Sequence, residues 1–181
     1  MSKQVWSGLL IGLALSLLLV GACGGRATPT PAPTPAEVEG QEWSFPDEGV
    51  QVMVPPQDRP VHVVKLPLPF LEELPVPVPG GFEPFRPVIN FDVVYDDTGT
   101  SVQEFDPPIQ IWVRYTSADF QNAANEDKPL SLGFCDESTC WRYTAEKHSF
   151  QLVPDGKEPS DGGLGVVLVS SWGDPTQVWG R

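Results

Sequence analysis

Ile109-Gln110-Ile111-Trp112-Val113-Arg114-Tyr115 places an apolar residue at every second position, with Gln110, Trp112 and Arg114 between. Successive side chains of an extended strand point to opposite faces. A period of two therefore predicts a strand with Ile109, Ile111, Val113 and Tyr115 against a core. The pattern recurs on either side. Gly49 to Val54 puts Val50, Val52 and Val54 on one face, Pro55-Pro56 ends that run, and Val61 to Leu66 forms the next. Val88 to Tyr95 groups Ile89, Phe91, Val93 and Tyr95, and Asp96-Asp97-Thr98-Gly99-Thr100 supplies a turn into Ser101 to Phe105, which predicts a hairpin. Leu164 to Val169 is apolar on both faces, as a central strand covered on each side would be. Only Ser117 to Ala124, capped by Thr116 or Ser117, predicts a helix. No internal repeat and no second domain is visible. The expectation is an all-β chain: one antiparallel β-sandwich with one short helix.

A second hairpin is written around cysteines, in Phe134-Cys135-Asp136-Glu137-Ser138-Thr139-Cys140-Trp141. Setting Cys135 opposite Cys140 also pairs Phe134 with Trp141, Leu132 with Tyr143 and Leu130 with Ala145. Large apolar groups then share one face and the sulfurs lie on the other. That agreement predicts a Cys135–Cys140 disulfide. The spacing is not Cys-x-x-Cys and no histidine is near, which disfavours a redox pair or a zinc site.

The third cysteine carries a different message. Residues 1–22 open with Lys3, run without charge from Gln4 and end in small residues, which is the pattern of a secretion signal. The densest apolar part, Leu9 to Val20, is short for a spanning helix, which needs about 20 residues. Val20-Gly21-Ala22-Cys23 resembles the lipobox of bacterial lipoproteins. The resemblance implies lipidation of Cys23, cleavage before it, and extracytoplasmic residence on the bacterial cell membrane. Two or three acyl chains anchor stably where one does not. Residues 23–44 then form a linker whose Pro/Thr tract, Ala27 to Ala36, favours extended polyproline II. Residues 45–181 are left for the folded domain. Without the leader the chain has 10 basic and 24 acidic residues, a net charge of -14, since Lys3 is the one charge removed. So acidic a chain argues against nucleic acid as partner.

The order of segments also resembles the ZU5-like, immunoglobulin-like β-sandwich modules of bacterial surface proteins. The matching pieces are Val54-Pro55-Pro56, Gly81-Phe82-Glu83-Pro84, Phe91-Asp92 with Thr98-Gly99, Phe105-Asp106-Pro107-Pro108-Ile109, Tyr115-Thr116-Ser117-Ala118-Asp119, and a hairpin strand opening at Trp141. The end departs, running Leu164 to Trp172 and then Gly173-Asp174-Pro175 where such modules often close with a His-Phe-Ser strand. The resemblance implies a structural or interaction module, and none of the matching pieces is catalytic.

Catalytic signatures are missing from the sequence: there is no Gly-x-Ser-x-Gly, Ser-x-x-Lys, His-Glu-x-x-His or phosphate-binding glycine loop. His62 and His148 sit in strand-like apolar stretches, as structural histidines do. Glu72-Glu73 reads as a solvated pair before it reads as a glycosidase dyad, so a hydrolase is the least favoured function. Asp92, Asp96, Asp97 and Asp106 gather around one hairpin and form a weak calcium candidate, although turn chemistry explains them equally. No other cofactor is suggested. Binding has two candidate sources. Trp112 lies opposite the inward face of its strand; the proline-rich stretch Leu66 to Pro79 either folds over it, the favoured expectation, or leaves with it an aromatic and aliphatic surface for a sugar or a protein partner. Trp172 and Trp179 belong to a tail that either packs back or protrudes. The expected function is a membrane-anchored, non-catalytic interaction or accessory module of the cell envelope, its partner an envelope protein or glycan. The alternative is a carbohydrate-binding module using Trp112, Trp172 or Trp179.

Overall fold

A computed structural model describes residues 40–75, 81–124, 128–136, 138–172 and 176–181. The leader, Cys23 and the Ala27–Ala36 tract lie outside the described residues. The chain forms β1 (Gln41–Phe45), β2 (Val50–Val54), β3 (Val61–Leu66), β4 (Pro84–Tyr95) and β5 (Glu104–Tyr115). After α1 (Ser117–Ala124) come β6 (Ser131–Cys135), β7 (Cys140–Arg142), α2 (Ala145–His148), β8 (Gln151–Pro154), β9 (Gly163–Ser171) and β10 (Thr176–Gly180). Two five-stranded sheets result, ordered β1-β2-β5-β9-β8 and β3-β4-β10-β6-β7. Every pairing is antiparallel.

The chain fills the sheets by alternation. β1 and β2 enter the first sheet, β3 and β4 the second, β6 and β7 the second, β8 and β9 the first, while β5 and β10 each take a central place alone. Each strand turns its apolar set toward the other sheet. Val50, Val52, Ile109, Ile111, Val113, Tyr115 and Val167 meet Ile89, Phe91, Val93, Leu132 and Trp179 in one core. The antiparallel sandwich expected from periodicity is therefore the fold, and α1 spans the predicted residues. Thr116 caps it: Asp119 N–H donates to Thr116 Oγ1 at 3.1 Å while Thr116 N–H donates to Asp119 Oδ2 at 2.8 Å. A side chain at the cap and one three residues on satisfy each other's backbone donors.

Several local expectations are corrected. β1 takes in Gln41 to Ser44, placed above in the linker, because these residues pair with β2. The hairpin after Tyr95 is limited to a Val94–Ser101 bridge and neighbouring backbone bonds; the chain then crosses to the first sheet as β5. β5 keeps register with β9 from Ile109 onward, and the register breaks between Glu104 and Ile109, where Pro107 and Pro108 have no N–H to donate. Leu130 does not pair with Ala145, since the chain coils into α2, the second of two α-helices among the described residues, capped by Thr144 Oγ1 accepting from Lys147 N–H at 3.2 Å. His148 is thus helical rather than in a strand.

The strand buried on both faces is β10, not β9. All five β10 residues are buried, whereas Leu164, Val166 and Leu168 of β9 are only half-buried on the outer face. Phe82 accounts for part of the cover over β10. Its ring lies so close to Gly133 and Gly180 that a Cβ on either would come within 2.5 Å of it. Bare backbone at these two positions lets an aromatic ring lie flat on the outer face of the second sheet.

Candidate functional site

The residues proposed for binding part company in the fold. Trp179 is fully buried: its ring stands edge-on to Tyr115 at 5.7 Å and its indole N–H donates to Arg114 O at 3.1 Å. The tail therefore packs back, and this tryptophan ties central strand β10 to central strand β5. Trp172 is buried too, 4.7 Å from Phe91. Neither offers a stacking face for a sugar: alternation along β10 turns Trp179 inward, while Trp172, just past the end of β9, is buried by its packing on Phe91. Trp112 is half-buried on the outer face of the first sheet, opposite Gln51 and Val166. Leu66 to Pro75 does not cover it. That stretch lies on the second sheet, where Asn90 donates to Pro67 O at 3.0 Å, the Cys140 sulfur lies 3.3 Å from Pro75 O, and Leu74 packs beside the disulfide. Val76 to Pro79 lie outside the described residues.

The aspartates around β4 are each engaged separately. Asp92 Oδ1 accepts from Val93 N–H and Ser101 Oγ, Asp96 meets His62 Nδ1, and Asp97 accepts both bonds from the Arg59 guanidinium. Asp106 lies exposed on β5, in the other sheet. Among the described residues no group of three or more His, Cys, Asp or Glu side chains is placed to hold a metal ion. Glu72 and Glu73 sit on one 3-10 turn, where Glu73 accepts from Phe70 N–H at 2.9 Å. Among the described residues neither histidine bonds a hydroxyl or thiol side chain. One buried ion pair stands apart: Arg86 of β4 grips Asp119 through Nε at 2.8 Å and Nη2 at 2.9 Å. Burial alone would raise the Asp119 carboxyl, but Arg86 and Thr116 outweigh it and hold the group below its ordinary value.

The cysteine hairpin has the predicted register. Cys135 is disulfide-bonded to Cys140 with their Cα atoms 4.0 Å apart, and Phe134 lies opposite Trp141. The sulfurs point to the outer face, beside Phe82 and Val178. On the other face a ladder of rings forms: Trp141 to Phe134 at 5.2 Å, Phe134 to Tyr143 at 5.1 Å, and Tyr143 to His148 at 5.1 Å. Tyr143 is buried, donates to Gln177 Oε1 at 3.0 Å, and has its phenol pushed far above the usual range by burial, so it takes no part in proton transfer near neutrality. Thr144 N–H donates to His148 Nδ1 at 3.3 Å, which leaves the neutral ring's proton on Nε2. Burial, reinforced by Lys147, lowers the His148 pKa. At the end of the ladder Trp141 is 39% exposed.

Two hollows flank this ladder. One, of about 140 Å³, lies between Phe134, Tyr143, Asp136 and the end of β9, with Trp172 in its wall. Three donors from Ser138 and Thr139 converge on Asp136 Oδ1 and, against the opposing effect of burial, keep the carboxyl ionised. The other, of about 330 Å³ and open to solvent, is lined by Phe134, Trp141, Arg142, Thr144, Lys147 and His148. Sequence reasoning placed Trp141 opposite Phe134 but did not single it out. The available signal was its place on the short outer strand of a hairpin, where one flank has no neighbour.

These features define the domain as an antiparallel β-sandwich with a disulfide-closed hairpin and an aromatic, basic hollow at its edge. Comparison with family models, curated proteins and solved structures gives no match.

Proposed function

We propose that this protein is an extracytoplasmic lipoprotein, held to the bacterial cell membrane through lipidated Cys23 and displaying a non-catalytic interaction or accessory module of the envelope. The single observation that carries this is the run Val20-Gly21-Ala22-Cys23 closing an apolar leader. The Cys135–Cys140 disulfide supports it independently, because such bonds persist in oxidising compartments. With those two sulfurs joined, Cys23 is the one cysteine left for a lipid. The two-sheet architecture supports the ZU5-like, immunoglobulin-like relationship. The module's partner is an envelope protein or a glycan.

Intact mass of the protein made in a bacterial host tests the anchor. The expected N-terminus is Cys23 bearing two or three acyl chains. A chain that begins elsewhere, or at an unmodified Cys23, refutes it.

A further inference from the structure

We propose that the hollow between β7 and α2 binds acidic sugar residues, with the sugar ring stacked on Trp141 and its carboxylate or phosphate held between Arg142 and Lys147. The proposal names a ligand for the interaction module above and rests on that module being non-catalytic.

Charge distribution is the first argument. The chain carries 24 acidic and 11 basic residues, yet among the described residues no acidic side chain lines this hollow. Neither Glu146 of α2 nor Asp136, which borders the neighbouring hollow, is among its walls. Among the described residues six other cations are neutralised: Arg59, Lys65, Arg86, Arg114, Lys128 and Arg181 are each in salt bridges. Among the described residues Arg142, Lys147 and Lys157 have no carboxylate within bridging distance, and two of these three meet at one hollow. A guanidinium offers a planar fork that matches a carboxylate or phosphate, and an ammonium adds a mobile second charge.

The second argument is the ring. Trp141 is the one large exposed aromatic beside these cations, and it is braced from behind by Phe134 at 5.2 Å, so its free face is fixed in direction. The C–H faces of a pyranose are weakly positive and complement the negative face of an indole. A volume of about 330 Å³ lies at the low end of small-ligand pockets, roughly 300–1,000 Å³. Stacking alone would suit a neutral sugar, and the cations alone any anion. Their coincidence selects a ring that carries a negative charge. A long polyanion such as nucleic acid is disfavoured, because repulsion from a chain of net charge -13 grows with each added phosphate, whereas a short acidic ligand is attracted locally and screened beyond about 10 Å.

The test is calorimetric titration of the full-length protein in a neutral detergent. The probes are galacturonic acid trisaccharide, its methyl ester, glucose 6-phosphate, inorganic phosphate and a short oligothymidylate. At least one acidic sugar is expected to bind more than about tenfold tighter than the methyl ester, the inorganic phosphate and the oligonucleotide, with affinity falling as salt rises. Which acidic sugar binds distinguishes a carboxylate from a phosphate source. Trp141→Ala, and the pair Arg142→Gln with Lys147→Gln, should each weaken binding by about tenfold or more, while Lys157→Gln leaves it unchanged. The Arg142 and Lys147 side chains lie outside the core, so that pair stays informative if Trp141→Ala fails to fold. Equal affinity for the methyl ester, the phosphate or the oligonucleotide, no binding of either acidic sugar at about 1 mM, or folded variants that bind as wild type would each overturn the proposal. The trisaccharide is recovered afterwards. Bound but cleaved sugar would retain the site and refute the non-catalytic reading, whereas absence of binding would refute the site and leave the anchor untouched.

Discussion

Arg86→Met tests whether the sandwich depends on one buried ion pair between β4 and α1. Asp119 is 3% exposed and accepts four bonds, two from Arg86 and two from Thr116. Methionine keeps much of the side-chain volume but removes both charge-assisted bonds and, among the described residues, the only countercharge bound to this carboxylate. An uncompensated buried charge costs about 3–5 kcal/mol. Because the Arg86 side chain is itself 38% exposed, water can approach through the space it leaves, and the lower end, about 3 kcal/mol, is expected. For a domain of this size that corresponds to a loss of roughly 10 °C in Tm.

The sign of the pH dependence makes the test specific. In the native protein the folded Asp119 pKa lies below its unfolded value, so its contribution is present above about pH 4 and is lost as pH falls through the folded pKa. Without Arg86, burial is no longer outweighed and the carboxyl moves upward, so the variant is penalised most near neutrality. Urea unfolding followed by tryptophan fluorescence should therefore show a gap between the two proteins that is widest at about pH 7 and contracts toward pH 4. Adding Asp119→Asn to Arg86→Met should recover part of the loss at neutral pH. A gap below about 1 kcal/mol, or one unchanged between those pH values, would refute the reasoning.

Other perturbations probe other elements. Replacing Cys135 and Cys140 by serine should lower stability by about 2 kcal/mol on the chain-entropy account of so short a loop, and in the native protein neither cysteine should react with an alkylating agent in denaturant until a reductant is added. Gly165→Ala should destabilise by about 1–3 kcal/mol, since its Cβ would stand 2.5 Å from Trp179 Cη2; a neutral result in thermal melts would show that β10 is free to shift. The His148 ring should titrate below the ordinary histidine range near 6.5, as followed by NMR, so the unfolded chain binds its proton more readily and this group disfavours folding as pH falls through that range; a value at or above it would contradict the packing against Tyr143 and Phe134.

What the sequence determined by itself is whatever depends on neighbours along the chain. The two-residue period of Val50 to Val54 and Ile109 to Tyr115 established strands and their inward faces, a capping residue at Thr116 or Ser117 placed α1, and the coincidence of two cysteines with the Phe134 and Trp141 positions established a hairpin register. What the tertiary structure alone decided is which strands lie side by side. β5 follows β4 but leaves for the other sheet, and the last strand of the described chain, β10, inserts between β4 and β6. No local pattern encodes such a choice, because an antiparallel strand with one apolar face can pair at any open edge. The outcome depends on volume, with Trp179 filling the space over Gly165 and Phe82 the space over Gly133 and Gly180. For the same reason Trp141, the exposed one among the described tryptophans, could not be chosen from six in the sequence. Trp172 and Trp179 are covered by the opposite sheet, whereas Trp141 stays open because β7 is an edge strand with no neighbour beyond it.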